Sequence, residues 1–152
     1  MRRTILLMAT MALTLLVASG VALAVTRIGT DGPDTLRGTK GSDQLFGMGG
    51  SDRINGRPGD DVILGGLGND HDLYGGPGVD VISGGPGGDV LIDGPLREFA
   101  VDTLEGGAGN DDLVTYNGPP ARDIVSCGAG RDAAFVDRKD IVSDDCERIV
   151  II

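Results

Sequence analysis

The chain is poor in the material from which most cores are built. Among its 152 residues there is no tryptophan, and there are only three phenylalanines, two tyrosines and one histidine, so a thick core packed around aromatic rings is excluded. His71 is the one imidazole and Cys127 and Cys146 are the two thiols, too few nitrogen and sulfur donors in the body of the chain for a zinc site. Basic residues are also scarce, 13 against 23 acids, for a net charge of −10. Nucleic acid is therefore excluded as a partner, and cations are favoured. Beyond residue 25 no apolar run is long enough to cross a bilayer as a helix.

The one long apolar run comes first. Met1-Arg2-Arg3 is a short basic start, Ile5 to Val17 is nearly all apolar, and Ala22-Leu23-Ala24 has the small-x-small form of a signal peptidase site. Residues 1–24 are expected to be a signal peptide cut after Ala24, leaving a secreted, extracellular bacterial protein with no stable membrane insertion. The alternative is an uncleaved anchor, since the apolar character reaches Val25 and can span about 30 Å of hydrocarbon. Thr10, Thr14, Ser19 and Gly20 dilute that run. The arginine pair is not followed by a twin-arginine signal, and no lipid-attachable cysteine follows the apolar stretch.

What the chain has in abundance is glycine, 27 residues, and it is phased with aspartate. Gly38-Thr39-Lys40-Gly41-Ser42-Asp43-Gln44-Leu45-Phe46 states the phrase, Gly-x-x-Gly-x-Asp-x-(Leu/Ile)-x. Its aspartate recurs nine residues apart at Asp34, Asp43, Asp52, Asp61 and Asp70. An inserted residue near His71 moves the next to Asp80, then Asp89 follows in step, and after a longer break Asp111. The fourth position is glycine every time: Gly32, Gly41, Gly50, Gly59, Gly68, Gly78, Gly87 and Gly109. Between the last two copies, Asp102 and Leu104 keep their places in a stretch that has lost both glycines, which reads as a strand without a proper turn.

Glycines at positions one and four let six residues turn tightly with carbonyls inward. The last three residues then run extended, with position eight facing in: Leu36, Leu45, Ile54, Ile63, Leu73, Ile82, Leu91, Leu104 and Leu113. A chain that coils in this way stacks parallel strands about 4.8 Å apart, and brings the aspartates of neighbouring turns together. Two carboxylates about 5 Å apart at an effective dielectric of 20 repel by roughly 3 kcal/mol. Calcium accepts several carboxylate and carbonyl oxygens, whereas magnesium prefers a stricter octahedron with retained water. Each coil buries too few aliphatic side chains to offset the ordering of its backbone, so ion binding is expected to supply part of the folding energy.

Gly75-Gly76-Pro77-Gly78-Val79-Asp80-Val81-Ile82-Ser83 and the nine residues after it resemble the GGxGxDxUx nonapeptide of the repeats-in-toxin (RTX) calcium-binding family. The resemblance covers about two-thirds of the chain after Ala24. It implies an all-β, right-handed parallel β-roll with Ca2+ between successive turns. Asp34, Asp43, Asp52, Asp61, Asp70, Asp80, Asp89 and Asp111 are then the expected metal ligands, in a roll over 25–114. Residues 115–152 retain only halves of the phrase and are expected to cap the stack. Thr30, Thr39, Met48 and Arg57 replace the second glycine, so a distorted turn or weaker binding is expected in the first half.

An even cysteine count in an exported chain favours a disulfide between Cys127 and Cys146, worth roughly 3 kcal/mol for a loop of about 20 residues. A metal or redox pair is the rival reading. No phased Ser or Cys nucleophile accompanies His71-Asp72, and adjacent acids such as Asp60-Asp61 and Asp111-Asp112 point apart in extended chain, so no catalytic constellation is found. Calcium binding is the expected function. The alternatives are an adhesion module with a cell-surface or polysaccharide partner, and a hydrolase with a site in 93–105 or 115–126.

Overall fold

The computed structural model describes residues 23–95, 99–115 and 121–152. The expected signal segment therefore lies outside the described residues except for Leu23 and Ala24. Fourteen short strands, and no helix among the described residues, wind into two seven-stranded parallel sheets. The first sheet stacks β1 (Thr26–Ile28), β3 (Gln44–Gly49), β5 (Val62–Leu67), β7 (Val81–Pro86), β9 (Thr103–Gly109), β11 (Ile124–Gly130) and β13 (Ile141–Val142). The second stacks β2 (Thr35–Arg37), β4 (Arg53–Asn55), β6 (Leu73–Tyr74), β8 (Val90–Ile92), β10 (Asp112–Val114), β12 (Ala133–Val136) and β14 (Arg148–Ile151). Successive strands alternate between the sheets, so the chain is a solenoid, the parallel β-roll expected from the repeat.

Register follows from the apolar position. In the first sheet Leu45, Ile63, Ile82, Leu104 and Val125 stack one above another. Ile54, Leu73, Leu91, Leu113 and Ala134 do the same in the second. All ten are buried and form one thin cluster, with Leu36 packed against it half-buried. One aliphatic side chain per strand leaves no room for a wider core, which is why so few aromatic residues suffice. At the far end Cys127 and Cys146 are disulfide-bonded, with Cα atoms 5.1 Å apart, and join the same cluster.

Two features go beyond the repeat as read from sequence. The strands of the first sheet from β3 to β11 are six or seven residues long, because pairing continues through the glycines of the following turn. Met48 pairs with Gly66, Gly85 with Gly107, and Gly107 with Gly128. These residues share a positive φ, from 79° at Met48 to 112° at Gly107, and the ladders between β3 and β5, β7 and β9, and β9 and β11 pass through that kink. Both sheets also run on without interruption into the segment after Val114, where β11 to β14 complete the stack.

Candidate metal centre

The position-six aspartates build two ladders along the roll. Each backbone N–H donates to Oδ1 of the aspartate one coil further on. One ladder runs Asp34 to Asp52, Asp70, Asp89, Asp111 and Asp132, with donor–acceptor distances of 2.7–2.9 Å, and ends on Glu147 at 2.8 Å. The other runs Asp43 to Asp61, Asp80, Asp102, Asp123 and Asp140, at 2.6–3.1 Å. Each rung after the first is therefore a carboxylate that accepts the backbone N–H of the rung before it. From Asp43 to Asp132 the ladder aspartates are at most 2% exposed.

The second oxygen is the telling one. Oδ2 of Asp52, Asp61, Asp70, Asp89, Asp111 and Asp132 is buried and has no hydrogen-bond partner among the described residues. A buried carboxylate oxygen left without a donor is expensive, and five on successive rungs of one ladder, with Asp61 on the other, are not an accident of packing. In the turns of Asp52, Asp61, Asp70, Asp89 and Asp111 this oxygen lies over the position-one glycine, and so does a carbonyl from the coil ahead. At Gly106 a Cβ would meet Asp111 Oδ2 at 2.7 Å and the Cys127 carbonyl at 2.5 Å. The same pairing of oxygens faces Gly47 (Asp52 with Gly65), Gly56 (Asp61 with Gly75), Gly65 (Asp70 with Gly84) and Gly84 (Asp89 with Gly106). The glycine keeps this space clear, and the donors on it are all oxygen. That set fits calcium, which takes carboxylate and carbonyl oxygens together, and lacks the nitrogen or sulfur that zinc prefers.

Electrostatics agree with the geometry. Burial raises the Asp89 carboxyl from its ordinary 3.8 to about 7, against the pull of the Asp70 N–H, and the Asp70 and Asp111 carboxylates add to the rise. Asp61, Asp70 and Asp111 are raised for the same leading reason, burial, with neighbouring carboxylates contributing. In each case the charged form is the one that suffers, and a cation in the turn would relieve it.

All eight aspartates singled out from the repeat belong to these ladders. Six are fully buried rungs, Asp52, Asp61, Asp70, Asp80, Asp89 and Asp111, as is Asp43, whereas Asp34 is half-buried at the first turn. Reading the repeat by its glycines missed Asp102, Asp123 and Asp132, which are equally buried rungs. The signal that would have found them is Asp-x-apolar, kept in Asp102-Thr103-Leu104 and Asp123-Ile124-Val125 where the glycines are lost, and in Asp132-Ala133-Ala134 where Cys127 replaces the first glycine alone. His71 sits on the surface at the inserted residue, and neighbouring Asp72 pairs with Arg53 at 3.3 Å. Met48 and Arg57 take φ of 79° and 74°, so these two substitutions preserve the turn that glycine makes elsewhere.

With this arrangement in view, the family comparison can be placed on it. The RTX calcium-binding nonapeptide repeat matches in four copies, over residues 28–63, 38–72, 59–91 and 101–118. No curated protein and no solved structure matches the chain. The matches together span more than half of the sequence and take in the rungs from Asp34 to Asp111, so the chain belongs to the RTX calcium-binding nonapeptide-repeat family.

Proposed function

We propose that this is an exported protein whose roll is folded by calcium, the ions lying between successive turns. The ligands on this reading are the carboxylates of Asp52, Asp61, Asp70, Asp80, Asp89 and Asp111, extended to Asp102, Asp123 and Asp132, together with carbonyls of the facing turns. The observation behind it is the set of buried Oδ2 atoms that have no protein donor among the described residues, those of Asp52, Asp61, Asp70, Asp89 and Asp111 each set beside a carbonyl of the next coil. A thin aliphatic core cannot offset the mutual repulsion of these rungs, so removing the ion should remove the fold. The role is structural binding rather than catalysis, and export rests on the composition of residues 1–24.

Far-UV circular dichroism of residues 25–152, stripped of metal and titrated with calcium and separately with magnesium, tests the reading. A coil spectrum that turns to β with calcium and not with magnesium is expected. A β spectrum that persists without metal would mean that the core and the disulfide suffice.

A further inference from the structure

We infer that the first two turns are built to satisfy their own carboxylates, so that the calcium array begins at Asp52 and neither Asp34 nor Asp43 is a ligand. The inference rests on the calcium reading of the inner turns and adds to it where the array stops. Position two of the repeat is the determinant. In turns whose second residue is glycine, and at Met48 and Arg57, φ is positive: 79° at Met48, 74° at Arg57, 110° at Gly66 and Gly85. Oδ2 of Asp52, Asp61, Asp70 and Asp89 in those same turns has no protein donor among the described residues.

Thr30 and Thr39 are different. Neither has a positive φ, and the backbone N–H of each turns onto the carboxylate of its own repeat. Thr30 N donates to Asp34 Oδ2 at 2.6 Å, and Thr39 N donates to Asp43 Oδ2. Their hydroxyls lie beside the same oxygens, Thr30 Oγ1 at 2.9 Å and Thr39 Oγ1 at 3.1 Å, and accept the N–H of Gly32 and Gly41 at 3.2 and 3.1 Å. A threonine that bonds to the backbone two residues on stabilises this turn. The donors thus occupy the oxygen that a cation would take. Asp43 is completed by the Val25 N–H, 2.7 Å from Oδ1.

The other end of the stack uses the same device. Asp145 accepts the N–H of Cys127 and Gly128 at 3.1 and 3.2 Å and the Ser126 hydroxyl at 3.0 Å. Asp34 and Asp43 at one end and Asp145 at the other are thus met by protein donors, unlike the inner rungs. The facing carbonyls are not what sets these turns apart, since Gly29 and Gly38 have the same pairing over them, Asp34 Oδ2 with the Gly47 carbonyl and Asp43 Oδ2 with the Gly56 carbonyl; the difference lies in the threonine donors.

The test is the number of calcium ions bound per folded chain, by native mass spectrometry and calorimetric titration, with circular dichroism to check folding. Asp34→Asn and Asp43→Asn are expected to bind as many ions as the parent, whereas Asp70→Asn is expected to bind at least one fewer. Thr39→Gly removes the hydroxyl and permits the positive φ, and is expected to bind one ion more. That variant decides the matter if Asp43→Asn does not fold. Loss of an ion in Asp43→Asn, or an unchanged count in Thr39→Gly, overturns the inference while leaving the inner sites standing. A parent chain that binds no calcium defeats the calcium reading, and this inference with it.

Discussion

At the scale of single residues the glycines divide by what stands over them. Position one leaves space for oxygens, but position four lets one turn lie on the backbone of the turn before. At Gly68 φ is 117° and a Cβ would land on the Gly50 carbonyl, whereas at Gly32 the nearest atom is Thr30 Oγ1 at 3.8 Å, in open surroundings. Gly68→Ala should therefore lose at least about 2 kcal/mol, since strained φ and a backbone clash add. Gly32→Ala should stay within about 0.5 kcal/mol of the parent. Urea unfolding in saturating calcium measures both, and equal losses would mean that turn stacking is not what these glycines serve. Residue identity also bounded what could be read beforehand. The position-six aspartates and the inward Leu and Ile were legible because each repeats at a fixed step, but as ligands Asp102, Asp123 and Asp132 were not, because Asp102 and Asp123 lack the turn glycines and Asp132 has Cys127 in place of the first one. The stack holds those turns by the N–H to Oδ1 bond, which needs no particular residue at position one.

At the scale of elements, that bond explains how the roll absorbs irregular coils. Its two partners are 18 residues apart in the first coils, then 19, 22 and 21, then 17 and 15 at the end. Added residues leave the coil between rungs, and the rung itself is kept. The strand at each position seven to nine was legible from alternation, but the long strands of the first sheet were not. Their second halves are glycine-rich, and only stacking on an identical kink keeps them paired. The first element shows a consequence for processing. Val25, just before β1, donates its N–H to Asp43 Oδ1 at 2.7 Å, and Asp43 is 1% exposed. A chain cut after Ala24 would bring a charged α-amino group to that carboxylate, and charge-assisted bonds are about twice as strong as neutral ones. Acetylating the amino terminus of a chain that starts at Val25 should cost about 1–2 kcal/mol. Denaturation of the acetylated and free forms in saturating calcium compares them directly; equal midpoints would show that the amino group does not engage Asp43.

At the scale of the whole molecule, the ladders make stability a function of protons as well as of calcium. In the ion-free roll the carboxyls of Asp61, Asp70, Asp89 and Asp111 are raised, chiefly by burial, and burial likewise raises Asp140. For Asp89 the window runs from 3.8 unfolded to about 7 folded. Between those values the folded chain binds more protons than the unfolded one, so stability falls as pH rises. The contribution is complete below 3.8 and is lost as pH passes about 7. Asp145 runs the other way: burial acts to raise it, but the Cys127 N–H, the Ser143 and Ser126 hydroxyls and the Gly128 N–H together hold it below its ordinary value. The raised rungs are buried or half-buried and Asp145 lies outside the ladders, so the ladders themselves favour acid. Chain freed of calcium by a chelating resin should therefore be coil at pH 7.5 and gain β signal as the pH is brought toward 4.5. With calcium present the sense reverses, because protons and the ion compete for the same oxygens, and the calcium midpoint should rise as pH falls over that range. An ion-free spectrum that stays flat or loses β signal on acidification would show that carboxylate repulsion is not what keeps the empty roll unfolded.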